Sequence, residues 1–436
     1  MILKKLLSWL IGRVRPFSQI VLSSELKFVL KLLLPSNFIQ NFIRDANANE
    51  WYAARKQNPY NIRSKQFESG INIVGYFQVA KGISEAARSN LSAFSAAKIS
   101  YSVIDYEAAM PFYLKTEILP STSYLNKFKY NTNLIHINPP QLHHLWGSFE
   151  KNDLTGRYTI GVWYWELPDF PEEWLFAFDL VDEVWVASQF VFDSVSAKSP
   201  VPVRKIPPCI DVMYDHTMRR SDFNLPPESF LFFCAYDVMS TQARKNPQGA
   251  VEAFKRAFAG NDSSVGLVIK INNAQQNLSE IKNLRRALKG YSNCYIIEQT
   301  FDKTKMNSLL NLIDVFITLH RSEGFGLIPA EAMSLGKPVI MTRWSGNVDF
   351  MTADNSCGVD YKLVSITEQA GPYMPGNIWA DPDLDHATFF MRRLFHDNNY
   401  YKQISAQAKI TIQENYSPDT VGKLIKGRMR GIGLIR

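Results

Sequence analysis

The fold of this 436-residue chain is constrained most strongly by an alternation of short apolar and longer amphipathic stretches, which occurs in two series. The first series opens with residues 71–77 (INIVGYF), which a glycine-bearing loop and a helical pattern over residues 85–97 follow. The second opens with residues 230–235 (FLFFCA), ahead of a helical pattern over residues 246–258. Apolar strands that alternate with helices are typical of parallel, doubly wound sheets. The sequence therefore predicts an α/β protein built from two Rossmann-like domains.

The composition is that of a globular protein, with 46% hydrophobic and 20% charged residues. These fractions exclude wholesale disorder, collagen and coiled coil. The four cysteines form no CxxC pair and no His cluster accompanies them, so neither a disulfide framework nor a structural zinc site is expected. A reducing cytoplasm is the expected location.

Most of the net charge of +7 lies in the first 44 residues, where seven Lys or Arg face a single acid, Glu25. A nucleic-acid binder more often spreads its basic residues over a folded domain, so nucleic acid is not expected as a partner. No apolar run in this leader reaches the length of about 18 residues that a spanning helix needs. No small-residue cleavage site follows residues 6–12, so a secretory signal is not expected either.

The leader contains apolar groups flanked by Lys and Arg, a pattern typical of basic amphipathic helices. Such helices lie on an anionic membrane surface or pack their apolar stripe on protein, and the sequence leaves both interpretations open. The first would place the protein peripherally at the inner face of the cytoplasmic membrane. Residues 45–70 are polar and predict a linker.

The segment LHRSEGFGLIPAEAM, residues 319–333, combines glycines with two glutamates where a strand runs into a helix. Gly324 and Gly326 allow a close approach of backbone N–H groups, and Pro329 suits a first helical turn. A helix N-terminus attracts phosphate. Glu323 and Glu331 beside such a site are explained if they bind sugar or ribose hydroxyls, whereas a surface loop with two solvated glutamates is the simpler alternative.

The spacing of Glu323 and Glu331 around Gly-Phe-Gly and Pro resembles the signature of family 4 in the glycosyltransferase classification, a family of retaining enzymes with the GT-B fold. Four further segments resemble that family in consistent order, so the resemblance covers roughly residues 71–430. These segments are residues 74–88 (an N-terminal glycine loop), 205–211 (a hinge), 244–247 (a basic phosphate-binding element) and 337–351 (a strand and glycine turn). Within the family, WYWELP (residues 163–168) together with LHRSEGFG resembles a branch common among bacterial surface-polysaccharide enzymes, mannosyltransferases among them.

The resemblance implies two Rossmann-like domains that face a cleft, preceded by the basic amphipathic extension. The expected boundaries are 1–70 for the leader and linker, 71–212 for an acceptor-binding domain, 213–405 for a nucleotide-sugar-binding domain and 406–436 for C-terminal helices that pack back on the first domain.

The resemblance also implies roles for individual residues. Glu331 is expected to hold the nucleotide ribose, Glu323 to contact hydroxyls of the donor sugar, and Lys245 to neutralise the departing diphosphate. The backbone around the loop is expected to meet the diphosphate, at Gly324, Phe325, Gly326 and Leu327. The Arg that usually precedes this lysine in the family has no counterpart at residues 235–237, which are not basic.

Arg244 and Lys270 are the expected substitutes for that Arg, although Arg244 could equally be a solvated charge at a helix start. Gly82 is expected in a loop that faces the cleft, with a simple tight turn as the alternative. The strand at residues 159–165 lacks the His that many relatives have at its end. Glu166 follows this strand and is the predicted replacement for polar contacts to a donor or acceptor hydroxyl.

Three residues near the strand ends admit both a site and a core interpretation. Trp163 and Trp165 share one strand face, where they stack on a sugar or belong to the core. His136 ends another strand, as a site residue or a core histidine.

No essential metal is expected. Asp381-Pro-Asp383 superficially matches a metal-binding DxD, but it precedes a helical pattern, and Asp383 or Asp385 suits an N-cap. The predicted co-substrate is a nucleotide-sugar, GDP-mannose or a UDP-sugar, with no tightly bound cofactor.

The predicted function is metal-independent, retaining transfer of a hexose to a glycan or lipid-linked glycan in surface-polysaccharide synthesis, such as that of lipopolysaccharide or capsule. A phosphorylase of the same fold and an inactive scaffold subunit of a polysaccharide-synthesis complex are the alternatives.

Overall fold

The computed structural model describes residues 36–64, 66–79, 81–106 and 126–435. Most of the predicted basic leader, residues 1–35, lies outside this part of the chain. Within the described ranges, two parallel sheets of six strands each form the framework. The strands of the first are β1 (Glu68–Gly75), β2 (Tyr101–Asp105), β3 (Tyr130–Ile135), β4 (Tyr158–Trp163), β5 (Glu183–Val186) and β6 (Val203–Lys205). Those of the second are β7 (Phe230–Asp237), β8 (Val265–Asn272), β9 (Cys294–Ile297), β10 (Val315–Thr318), β11 (Val339–Thr342) and β12 (Cys357–Val359).

Helices connect these strands and cover both sheets. In chain order they are α1 (Ser36–Gln57), α2 (Gly82–Ala97), α3 (Pro139–Leu142), α4 (Lys151–Leu154), α5 (Gln189–Ser196), α6 (Gln242–Lys245), α7 (Pro247–Ala257), α8 (Leu278–Ala287), α9 (Lys303–Leu312), α10 (Leu327–Ser334), α11 (Leu384–His396), α12 (Asn398–Tyr416) and α13 (Pro418–Gly431). None of the helices in the described residues is long and apolar enough to cross a membrane.

The strand order places a binding crevice in each domain. The first sheet runs β2-β1-β3-β4-β5-β6 and the second β9-β8-β7-β10-β11-β12. The order reverses between β1 and β3 in the first sheet and between β7 and β10 in the second. Ligands of doubly wound sheets bind outside the carboxyl ends of the strands at such points. The predicted α/β class with two Rossmann-like domains is confirmed.

The central strands are apolar because both of their faces are covered. β7 and β8 pair in parallel from Phe230↔Val265 to Asp237↔Asn272, and most side chains of both strands are buried. A parallel sheet with helices on both faces favours such continuous apolar runs over alternation. This explains why the sequence predicted these strands as continuous apolar runs.

The polar stretch expected to be a linker differs from that expectation over its first part, because residues 45–57 belong to helix α1. Ala48, Trp51 and Ala54, spaced three apart, are buried against the first domain. Trp51 stacks on Trp146 with 6.4 Å between ring centroids. The polar composition of the stretch comes in part from the exposed Asp45 and Asn49 and in part from Asn47 and Arg55, which bond to the first domain.

Two elements of the second half, a C-terminal helix and a hairpin, contact the first domain. Helix α13 packs along α2, and a Cβ at Gly422 would lie only 2.5 Å from the carbonyl oxygen of Ala93. An antiparallel hairpin of β13 (Tyr361–Ser365) and β14 (Ile378–Pro382) follows the second sheet. The sequence reading did not identify this hairpin.

Candidate active site

A cleft with a cavity volume of about 490 Å³ lies between the carboxyl edges of the two sheets. Residues of both domains line it. The lining includes every predicted site residue: Gly82, Glu166, Arg244, Lys245, Lys270, Glu323, Gly324, Phe325, Gly326, Leu327 and Glu331.

The glycine loop connects β10 to α10 at the point where the strand order of the second sheet reverses. Gly326 is the N-cap of α10 and has φ 97°, in the left-handed region that favours glycine. Pro329 lies in the first turn, where its missing N–H removes no helical hydrogen bond. The N–H groups of this turn have no intrahelical partners, so they face the cleft as donors for an anion.

Glu323 lies between two cations, with 13% of its side chain exposed. Its Oε1 lies 2.5 Å from Lys245 Nζ and 3.2 Å from an Arg244 guanidinium nitrogen. Burial by itself would raise the pKa of Glu323, but Lys245 and Arg244 outweigh it and hold this pKa at about 2. The carboxylate therefore stays ionised and can accept hydrogen bonds from hydroxyl groups.

Arg244 and Lys245 end the short helix α6, and the next residue fixes their place. Asn246 has φ 48°, caps α7 by accepting from the N–H of Gly249, and donates to the carbonyl of Leu319. Arg244 is buried and donates to the carbonyl of Ser322 at 2.8 Å. It is therefore not a solvated helix-start charge, so the structure favours the site interpretation of this residue.

Glu331 is buried and forms an ion pair with the partly exposed Lys303, whose Nζ lies 2.5 Å from Oε1. Burial raises the pKa of Glu331, and Lys303 only partly offsets it. The sequence reading did not single out Lys303. The available signal was its position as the first residue of α9, directly after the N-cap Asp302.

The side chain of Lys270 reaches the cleft. Its Nζ lies 2.5 Å from Asn272 Oδ1 and 4.8 Å from the ring centroid of Phe301. Burial lowers the pKa of Lys270 to about 8. No carboxylate of the described residues is in direct contact with this ammonium, which lies next to the cavity in a position where a bound anion would stabilise its charge. Gly82 begins α2 on the opposite wall.

Glu166 reaches across from the first domain to the second. Its Oε2 accepts a hydrogen bond from the phenol of Tyr373 at 3.0 Å, and its backbone carbonyl accepts one from Ser322 Oγ. Tyr373 belongs to the loop between β13 and β14, and the sequence reading missed it because no motif marks that hairpin.

Of the three residues with two interpretations, Trp163 and His136 lie away from the cleft and Trp165 borders it. Trp163 and His136 are fully enclosed and are not among the described residues that line it. His136 pairs with Asn90 at 2.9 Å, and burial lowers the pKa of His136 to about 3. Both are core residues. Trp165 borders the cavity but is also buried, and its indole N–H donates to the carbonyl of Asp169.

Asp383 accepts from the N–H groups of Asp385 and His386 and so caps α11, as predicted. Asp381 pairs with Arg321 at 2.9 Å.

One family model matches the second domain. Residues 227–371 match the model described as "Glycosyl transferases group 1". The match begins just before β7 and ends in the loop between β13 and β14. The matched range contains Arg244, Lys245 and the glycine loop, and it ends two residues before Tyr373, so most of the charged wall of the cleft belongs to this range.

Solved structures share the two-domain GT-B fold. Alr3699/HepE of Anabaena, in complex with UDP and glucose, is similar with a TM-score of 0.58 at 13% identity, over 84% of this chain and 100% of that chain. Sucrose-phosphate synthase from Thermosynechococcus elongatus gives 0.59 at 14% identity, over 84% and 99%. A glycosyltransferase from Rickettsia africae gives 0.58 at 13%, over 84% and 98%. No curated protein matches the chain by sequence.

Proposed function

We propose that the protein is a retaining glycosyltransferase that moves a hexose from a nucleotide-sugar to a glycan or lipid-linked glycan. The observation that carries this proposal is the charge arrangement in the cleft. Two cations, Lys245 and Arg244, adjoin the N-terminus of α10, while the partly buried carboxylate of Glu323 and the buried carboxylate of Glu331 flank it. Cations and free N–H groups suit a diphosphate, and carboxylates suit the hydroxyls of a sugar and a ribose.

In the proposed reaction the bond between the sugar C1 and the diphosphate oxygen breaks, and negative charge builds on the phosphate. Lys245, Arg244 and the N–H groups at the start of α10 stabilise that charge, which is the largest contribution such a site makes to the rate. The acceptor hydroxyl attacks C1 from the same face and passes its proton to the departing phosphate oxygen. Glu323 orients the sugar through its hydroxyls.

The donor that we propose to test first is a UDP-sugar, with GDP-mannose second. UDP and glucose are bound in the similar Alr3699/HepE structure. GDP-mannose is suggested by the sequence resemblance of residues 163–168 to a branch that includes mannosyltransferases. Surface-polysaccharide synthesis as the biological process rests on that same resemblance.

Thermal-shift measurements with UDP, GDP, ADP and inorganic phosphate, on wild type and Glu331→Ala, test the proposal. We expect one nucleoside diphosphate to raise the melting temperature of wild type, and the Glu331→Ala variant to lose that shift. Stabilisation by inorganic phosphate without any nucleotide effect would instead favour the phosphorylase, and no stabilisation by any of the four would favour the inactive scaffold.

We further propose that the basic leader holds the enzyme at an anionic membrane surface, on the evidence of its charge alone. Deletion of residues 1–35 leaves α1 intact and removes six of the seven basic residues counted above. We expect the deletion to reduce co-sedimentation with vesicles that contain an anionic lipid, and the loss to be larger at low salt. Equal sedimentation of both proteins would contradict this part of the proposal.

A further inference from the structure

Tyr373 joins the two domains at the cleft. It lies in the loop between β13 and β14 with only 3% of its surface exposed. Its phenol donates to Glu166 Oε2 at 3.0 Å, and Glu166 follows β4 of the first domain. The ring packs on Trp165 of the first domain and Trp379 of the second, at 5.6 and 6.3 Å between centroids. One side chain of the hairpin therefore fixes both the carboxylate of Glu166 and the aromatic wall beside it.

Glu166 lies near Arg244, the cation that contacts Glu323. Its Oε1 lies 3.9 Å from an Arg244 guanidinium nitrogen, too far for a hydrogen bond. Arg244 instead contacts the carbonyl of Ser322 at 2.8 Å and Glu323 at 3.2 Å. The guanidinium also lies 5.7 Å over the ring of Tyr373. Tyr373 thus contacts both the buried cation and the carboxylate of Glu166.

We propose that Tyr373 is a positioning residue of the donor site: by holding Glu166, it keeps Arg244 directed at Glu323 and available to a diphosphate. This inference rests on the proposed function. Without the phenol O–H, the carboxylate of Glu166 gains most by pairing directly with Arg244, because charge-assisted hydrogen bonds between such groups are strong away from water. That pairing draws the guanidinium toward the first domain and neutralises charge that the diphosphate needs.

Calorimetric titration with UDP tests this role, with GDP and ADP as the replacements if one of them is the nucleotide that wild type binds. Tyr373→Phe keeps the ring and removes the O–H, and we expect it to weaken nucleotide binding about five- to tenfold. Tyr361→Phe is the matched control, because Tyr361 lies in the same hairpin at its other end, opposite Pro382. We expect no change in affinity from that substitution.

The decisive measurement repeats Tyr373→Phe in a Glu166→Gln background. An uncharged amide does not compete for Arg244, so in that background Tyr373→Phe should cause no further loss of affinity. A purely structural role predicts the same loss in both backgrounds. Melting temperatures of all variants verify that each is folded.

The outcomes separate this inference from the proposed function. If wild type binds a nucleoside diphosphate and Tyr373→Phe binds it equally well, or loses the same factor in both backgrounds, the positioning role is wrong and the proposed function stands. If wild type binds none of UDP, GDP and ADP, the proposed function and the positioning role are both wrong.

Discussion

Gly346 lies directly against Gly324, so that the turn after β11 supports the glycine loop from behind. A Cβ built on Gly346 would lie 2.2 Å from the carbonyl oxygen of Gly324. The N–H of Gly346 donates to the carbonyl of Glu323, and the N–H of Glu323 donates to Ser345 Oγ. The position of Glu323 in the cleft therefore depends on the absence of a side chain at residue 346.

Gly346→Ala is expected to destabilise the protein by about 1–3 kcal/mol, because overpacking against backbone forces the loop to move. The moved loop should also lose nucleotide binding. Urea unfolding and a UDP titration measure the two effects. Gly427→Ala is the control: a Cβ at Gly427 in α13 meets nothing within 4 Å, so alanine should stabilise that helix by about 0.5–1 kcal/mol. Normal nucleotide binding by Gly346→Ala would show that the turn does not determine the position of the glycine loop.

Lys245→Ala is expected to weaken UDP binding by about ten- to hundredfold, because a hydrogen bond to a charged group contributes about 1.5–3 kcal/mol. Glu323 keeps Arg244 at 3.2 Å, so the variant should fold. The same titration with uridine should show no change, since uridine has no phosphate. Lys255→Ala, on α7 beside Glu252, serves as the control for a lysine outside the cleft. Equal losses for UDP and uridine would argue that Lys245 acts on the loop and not on the diphosphate.

The residues of this cleft were predictable to different degrees. Glu323, Gly326 and Glu331 lie in one continuous segment, so local spacing was enough to find them. Lys303 and Tyr373 approach the cleft from elements distant in sequence, and their side chains acquire their roles through ion pairing with Glu331 and hydrogen bonding to Glu166. No local pattern encodes such contacts.

The elements of the fold were also predictable to different degrees. Continuous apolar runs predicted β7 and β8, because both faces of a parallel strand are buried. Helix α1 was mistaken in part for a linker because its buried positions, Ala48, Trp51 and Ala54, are few and separated by polar residues. Hairpin β13–β14 is only partly buried, and its composition carries no strong strand signal.

The titration of His320 should make the protein less stable in acid. Burial lowers the pKa of His320 to about 4; Glu323 opposes the shift and Lys245 adds to it. The unfolded chain therefore takes up a proton near pH 6.5 that the folded chain takes up only near pH 4. Stability from the neutral ring is present above about pH 6.5 and is lost as the pH falls toward 4, by about 2 kcal/mol at pH 5.

Urea unfolding at pH 7.5 and pH 5.0 measures this loss, with His320→Gln as the comparison. The glutamine amide can still donate to Asn347 Oδ1, which lies 2.9 Å from the His320 ring nitrogen. Every other titrating group is shared by the two proteins, so the stability of wild type relative to the variant should fall by about 2 kcal/mol between the two pH values. A constant difference would place the folded pKa of His320 near its ordinary value.

The Lys303–Glu331 pair should be costly to break and cheap to remove as a whole. Glu331 is buried, whereas 25% of the Lys303 side chain is exposed. Lys303→Met leaves the buried carboxylate unmatched and should destabilise the protein by about 3–5 kcal/mol. Glu331→Gln leaves the partly exposed ammonium unmatched and should cost less. The double variant should recover most of that loss, which equilibrium unfolding in urea measures as a coupling energy. Arg285→Met supplies the control, because the Arg285–Glu298 pair is also 2.5 Å long but exposed, and should change stability by less than about 1 kcal/mol. Additive losses from the two single changes would mean that Lys303 does not compensate the charge of Glu331.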